Sequence, residues 1–326
     1  MFISVILFLI LVMGGVVFIE CYQKRSVSSW LIEKLFDLRR YKLSKKPDNY
    51  QGIKTQRQRQ IAYHLDNPET LVGFPTQEYD VDGMQVFVIN DQKTQDQPII
   101  FYLYGSVYLR RPEKFHFKTI KQLITLTDAK LVFPNFQKAP YVTYQEVYPK
   151  LAKAYKRYAL ATKGNQTSFI GDSSGGGMVL ALAQYLRDHK EAPQPSQIIT
   201  LSPWLDVSLA NSDYQELEPV EAYLDARRLK DIGELWAGGK ESMTHPYVSP
   251  LYGDYRGLPK IISFAGTREI FLPDIKRFHE TLTQQEVPNQ LIIEDNMIHA
   301  YVIFPIREAR KALRQIAAFV LKGTES

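Results

Sequence analysis

Five residues, Gly171-Asp172-Ser173-Ser174-Gly175, join the apolar stretch TSFI to the helix-forming stretch SGGGMVLALAQYL. This is the setting in which a G-x-S-x-G turn presents a nucleophile. A sharp strand-to-helix turn strains the backbone of Ser173, and the flanking glycines leave room for neighbouring backbone. The helix N-terminus then aims its amides, that of Ser174 among them, at a developing oxyanion. The same run would also serve as a plain Gly/Ser helix start, but a strand before it and a helix after it favour the catalytic reading.

A serine hydroxyl attacks poorly unless a base takes its proton. His299 is the candidate base, because it follows the apolar stretch QLIIE and precedes the C-terminal helix. His64, His116, His189, His245 and His279 are poorer candidates by position. His279, inside an expected helix, reads as a surface residue, and His116 as a support for the loop before it. The third member must orient the imidazole and stabilise its cationic form. Glu269, three residues after Gly266, is favoured over Asp274, because Pro273-Asp274 reads as a helix's first turn, where an acid meets backbone donors. The chain order Ser, acid, base results, with Glu269 96 positions after Ser173 and His299 30 positions after Glu269.

The elements that must hold these residues are legible as alternating apolar runs and helical stretches. Strands are expected at 98–104, 130–133, 167–170, 197–201, 260–265 and 290–293. Helices are expected at 116–126, 144–162, 174–189, 273–286 and 306–321. Strands separated by helix-sized segments give an α/β fold with a mainly parallel sheet covered on both faces. EYDVDGMQVFVIND, with Asp82-Gly83 at its centre, reads as a hairpin. Residues 206–258 form an inserted cap with its own helix at 221–236. The chain has 326 residues, 45% of them apolar, enough for one large core.

These motifs, taken with LSPWLDVSL, HPYVSPLYGDYRGLP, FAGTREIFLPD and MIHAYVIFP, resemble the hormone-sensitive-lipase-like branch of bacterial α/β-hydrolase esterases over residues 74–326. The resemblance implies a capped hydrolase of short or medium acyl esters, acetyl esters included, and supports Ser173, Glu269 and His299 as the triad. It also implies an oxyanion loop of sequence His-Gly-Gly-Gly after the first parallel strand. Here that place is taken by Tyr104-Gly105-Ser106-Val107. Amides of Gly105, Ser106, Val107 and Ser174 remain as oxyanion donors, while the bulk of Ser106 and Val107 is expected to shift the loop or narrow the acyl site. Tyr104, Tyr108, Trp204 and Phe271 are candidates for the substrate pocket or, equally, for the core. Asp172 and Asp206 read as structural, and Arg110 and Arg111 as a solvated pair near the oxyanion loop that could also meet an anionic substrate.

Residues 2–19 carry no side-chain charge and, as a helix, would extend roughly 27 Å. No basic residue precedes the run and no small-residue cleavage site ends it, so the expectation is an uncleaved membrane anchor (1–22) rather than an exported signal peptide. Between Glu20 and Asp48 lie eight basic and four acidic residues, most of the net charge of +5. This basic flank (23–73) is expected to meet anionic lipid and to keep the catalytic domain cytoplasmic. Within it, 29–41 suits an amphipathic helix at the membrane surface or a cap helix over the active site. No basic patch interleaved with aromatics points to nucleic acid. One cysteine, Cys21, excludes an internal disulfide, the histidines lack zinc-ligand spacing, and the triad requires no cofactor. A small-molecule ester is the expected partner. Two further readings carry less weight: a ligand-binding relative with an impaired oxyanion loop, and amide hydrolysis by the same triad.

Overall fold

The computed structural model describes residues 2–44, 64–159, 166–190 and 192–322. Chain order begins with helix α1 (Phe2–Val17), a π-helical turn (Phe18–Tyr22) and α2 (Val27–Ser44), then a short α3 (Glu69–Val72). The hydrolase part follows as β1 (Thr76–Val81), β2 (Met84–Ile89), β3 (Ile99–Leu103), α4 (Lys114–Thr127), β4 (Lys130–Asn135), α5 (Tyr144–Ala159), β5 (Thr167–Asp172), α6 (Ser174–His189) and β6 (Gln197–Leu201). The insertion carries α7 (Tyr214–Leu217) and α8 (Ala226–Ala237). β7 (Lys260–Arg268), α9 (Leu272–Gln284), β8 (Asn289–Ile298) and α10 (Arg307–Lys322) complete the chain.

Eight strands form one sheet in the order β1-β2-β4-β3-β5-β6-β7-β8. β2 pairs antiparallel with β1 and β4, and the remaining neighbours are parallel. Asp82 and Gly83 both take positive φ, 51° and 77°, the geometry that a two-residue hairpin turn needs. β3, β5 and β6 are buried at every position, as expected for strands covered on both faces. The parallel strands end on one edge, where the crossover geometry of such sheets places ligand sites.

Two local expectations change. The helix expected at 221–236 starts only at Ala226, because Glu221 turns inward and caps a loop. Its Oε1 accepts the amides of Tyr223 (2.7 Å) and Leu224 (3.0 Å), and its Oε2 that of Ile270 (3.1 Å). His279 is buried, not superficial, and its Nδ1 meets Asn289 Oδ1 at 2.9 Å.

The apolar start departs from the anchor expectation. α1 is 16 residues long and gives way to the π-helical turn before Glu20. No helix among the described residues is long and apolar enough to cross a membrane. The basic flank, expected to face lipid headgroups, is partly committed to protein instead. Arg25 pairs with buried Glu33, which Arg268 also reaches at 3.1 Å. Ser26 binds Glu308 through its amide (2.6 Å) and its hydroxyl (2.7 Å), and Arg40 donates to the carbonyls of Glu218 and Glu221. Phe36 packs edge-on against Tyr223 and is tilted against Phe304. α2 is therefore a cap helix docked on the hydrolase. Lys45 and Lys46 lie outside the described residues.

Glu33 is the acid that binds α2 through two guanidiniums. Burial raises the pKa of its carboxyl, but Arg25 and Arg268 outweigh this and hold it below the usual carboxylate range. Removing one partner of such a cluster leaves buried charge uncompensated. Glu33→Ala should release α2 from the domain. Limited trypsin digestion followed by mass spectrometry should then show early cleavage at Lys34, Arg39 or Arg40, sites protected in the wild-type chain.

Candidate active site

Ser173 joins β5 to α6 with φ 53° and ψ −122°, a combination costing on the order of 1–3 kcal/mol for a non-glycine residue. Three backbone bonds hold it there: its amide donates to the Leu201 carbonyl (2.8 Å), and its carbonyl accepts the amides of Trp204 (2.9 Å) and Gly177 (3.2 Å). The flanking glycines are required by space. A Cβ on Gly171 would collide with the Gly175 carbonyl, and one on Gly175 with the Leu103 carbonyl.

The ends of β7 and β8 supply the rest. His299 Nε2 lies 2.9 Å from Ser173 Oγ, and His299 Nδ1 lies 2.8 Å from Glu269 Oε2. Both Glu269 and His299 are fully buried. The second carboxylate oxygen of Glu269 accepts the Ser202 hydroxyl (2.8 Å) and the Gly266 amide (2.7 Å), and Ser202 Oγ in turn accepts the Ala300 amide (3.0 Å). These bonds fix the direction of the carboxylate. Ser202 was not singled out in the sequence. Its position one residue past β6 is the only signal it carries there. Tyr223 stacks on the imidazole at 5.8 Å and Phe271 meets it edge-on at 5.1 Å, so the ring is confined on two sides. This arrangement can move a proton from Ser173 Oγ to His299 and stabilise the resulting imidazolium.

On the other side of Ser173, Asp172 organises the loop after β3. Its carboxylate accepts the Tyr102 hydroxyl (2.8 Å), faces His116 Nε2 (3.3 Å) and takes the Gly105 amide. Burial pushes the Asp172 carboxyl up, but His116 and Tyr102 outweigh this and hold it below its ordinary value. The Glu113 amide donates to His116 Nδ1 at 2.8 Å, which places a proton on Nε2, toward Asp172. His116 thus supports the oxyanion loop through Asp172. The Gly105 amide is engaged by the Asp172 carboxylate, and Gly105 lines the cavity beside Ser106 and Val107. The Ser106 amide donates to Ser174 Oγ at 3.0 Å. Val107 and Tyr108 are both left-handed, at φ 45° and 58°, where a glycine would sit without strain. Tyr108 is held there by packing: its ring stacks on Trp236 of α8 at 4.5 Å and tilts against Trp204 at 5.4 Å.

A cavity of about 110 Å³ opens at Ser173, with Val107, Tyr223, Leu224, Leu229, Ile232 and Ile303 forming its apolar wall. The four aromatics expected to line it lie behind that wall. Tyr104 is buried and bonded to Asn135 and Lys138, Tyr108 and Trp204 belong to the aromatic stack just described, and Phe271 backs His299. Asp206 is structural as expected, holding the amides of Ser208 and Ala210. Among the described residues there is no group of His, Cys, Asp and Glu suited to a metal ion.

A family of the α/β hydrolase fold matches residues 100–303 of this chain, and the chain belongs to it. An esterase of Acinetobacter venetianus is 30% identical over 232 residues, covering 68% of this chain and 74% of that protein. An acetyl-hydrolase of Streptomyces hygroscopicus is 24% identical over 235 residues, covering 71% and 77%. Among solved structures, a putative esterase from Staphylococcus aureus superposes with a TM-score of 0.77 at 28% identity, covering 83% of this chain and 92% of that one.

Asp274, the acid not favoured for the relay, lies in the first turn of α9, bonded to Asn211 (3.1 Å) and near Arg277 (3.4 Å). Burial, reinforced by Asp206, pushes its carboxyl up to about 6. A folded pKa above the unfolded one means that stability is lost as pH rises from about 4 to 6, and the loss persists above that. Asp274→Asn should therefore stabilise the protein at pH 8 by about 1–2 kcal/mol, part of the gain being offset by the lost helix-terminal charge, and should change little at pH 4. Urea unfolding at both pH values measures this, and a D274N protein less stable at pH 8 would contradict it.

Proposed function

We propose that this chain is a serine carboxylesterase acting on short acyl esters, acetyl esters among them, with Ser173 as nucleophile, His299 as general base and acid, and Glu269 as the residue that orients His299. The observation that carries this reading is the unbroken chain of bonds Ser173–His299–Glu269, at 2.9 and 2.8 Å, starting from a serine held in a strained elbow. Ser173 Oγ attacks the ester carbonyl while its proton passes to His299 Nε2. The imidazolium returns that proton to the departing alcohol oxygen, and water, deprotonated by His299, then hydrolyses the acyl-enzyme.

The oxyanion falls to the amides of Val107 and Ser174. Ser174 is the first residue of α6, so its amide has no partner within the helix. The Ser106 amide joins them once Ser174 Oγ yields it. The buried Ser106 hydroxyl has no hydrogen-bond partner among the described residues and adds a donor on the same cavity wall. The cavity is smaller than the roughly 150 Å³ void that admits benzene, which supports a short acyl group. The esterase and acetyl-hydrolase relatives support the same substrate class. An intact relay speaks against a purely ligand-binding role.

Purified protein should hydrolyse p-nitrophenyl acetate and butyrate, and a fluorophosphonate probe should label Ser173. Ser173→Ala should abolish both at unchanged circular dichroism, and activity undiminished in that variant would sink the assignment.

We also propose that α1 tethers the enzyme to a lipid surface, its basic flank toward the cytoplasm. Ile10, Leu11, Met13, Val17 and Phe18 are all at least half exposed, a continuous apolar surface that water disfavours. The full-length chain should sediment with membranes and resist extraction by high salt. Recovery in the soluble fraction would overturn the tether and leave the esterase reading intact.

A further inference from the structure

Five guanidiniums line the cavity that contains Ser173: Arg39 and Arg40 of α2, Arg110 and Arg111 after β3, and Arg228 of α8. They come from three separate segments. The carboxylates on the same wall are Glu113, Asp172 and Asp225. Asp172 is committed to His116, Tyr102 and Gly105, and Asp225 to Arg227 at 3.0 Å with Arg228 at 3.7 Å. The wall therefore keeps a surplus of positive charge. Arg40 has a structural use, bonding the carbonyls of Glu218 and Glu221. Arg39 and Arg110 are exposed at the mouth. The Ser106 carbonyl accepts the amides of Leu109 and Arg110, both at 2.9 Å, a tight turn that brings Arg110 to the cavity. The charges of Glu113, Arg110, Asp172 and Arg39 all reach the hydroxyl of Tyr223, the ring that stacks on His299.

A neutral acetyl or butyryl ester needs none of these charges. Converging guanidiniums suit carboxylate or phosphate, which they bind as planar forks, and a cleft of one sign raises the local concentration of the opposite ion by about tenfold or more. Resting on the esterase reading above, we infer that the substrate is a small ester bearing a carboxylate or phosphate on its alcohol part, with Arg39 and Arg110 as specificity-determining residues at the mouth. The small, partly apolar space beside Ser173 receives the short acyl group, and the arginines receive the anion.

The test compares kcat/KM for 3-acetoxybenzoate with that for its uncharged analogue, 3-acetoxybenzamide, each corrected for its hydrolysis in buffer. The full-length protein should favour the anion by about tenfold at low ionic strength. The preference should shrink as sodium chloride is raised to 0.5 M, where exposed charges are screened. The double variant Arg39→Gln/Arg110→Gln should bring the ratio several-fold closer to one. The salt series on the wild-type chain stands even if that variant does not fold. Equal rates for the two esters, or a preference that neither salt nor the variant reduces, would overturn the inference while leaving the esterase reading standing. Failure to hydrolyse either ester, with Ser173 unlabelled by the probe, would remove the esterase reading itself. A lipid arm compares dioctanoylphosphatidylglycerol with dioctanoylphosphatidylcholine. A preference for the anion confined to that pair would assign the arginines to a headgroup and overturn the small-substrate assignment.

Discussion

Ser173 occupies a backbone conformation that only its surroundings can maintain, and much of the site is arranged around keeping it there. Its amide and carbonyl are tied to the ends of β6 and α6, at Leu201, Trp204 and Gly177, so the elbow cannot relax without breaking the connection between two strands and a helix. Gly171 and Gly175 follow from the same constraint, because the turn brings the start of α6 against its own strand and against the end of β3. The strain is local, while the contacts that sustain it come from the whole carboxyl edge of the sheet.

Two buried carboxylates extend this frame in opposite directions. Glu269 holds His299 with one oxygen and, with the other, links β6 and β7 through Ser202 and Gly266. Ser202 then reaches the backbone beside His299 at Ala300. The distance between His299 and Ser173 is thus set by three strand ends acting together. Asp172 does the corresponding work for the oxyanion loop, gathering Tyr102, His116 and the Gly105 amide. Where the related loops are expected to carry glycines, this chain has Ser106 and Val107. The Asp172 cluster on one side and the Tyr108–Trp236 stack on the other hold the substituted loop in place.

What the sequence disclosed and what it hid divide along the range of the interactions. The elbow is a contiguous motif, and the strands beside it are unbroken apolar runs buried on both faces, so their places could be read with small boundary errors. The places of His299 and Glu269 beside Ser173 could be expected because they follow the last two strands of a parallel sheet. Glu221 misled, since a carboxylate at the head of a helical pattern looks like part of the helix; its role depends on the Ile270 amide, 49 positions away. His279 misled for a related reason, and the aromatics behind the cavity wall stayed undecided between pocket and core. Periodicity tells which side of an element is apolar, but not whether that side meets core, cavity or solvent. Ser202 has no local signature beyond its place one residue past β6.

The N-terminal segment shows the same limit at larger scale and bears on how one fold acquires a substrate preference. The sheet edge supplies Ser173, His299 and Glu269, all buried and constrained by strand geometry, and a change in any of them would disturb the frame. The cavity mouth is built differently, from α2, from the turn after β3 and from α8 of the insertion. Those segments touch the frame through a few bonds, such as Arg25 and Arg268 to Glu33 and Ser26 to Glu308, and are otherwise free to vary in charge. A segment read as a membrane-facing flank in one dimension becomes, once α2 docks, the source of two guanidiniums beside Ser173, Arg39 and Arg40. The charge of the mouth can then change through surface helices without loosening the strained backbone of Ser173.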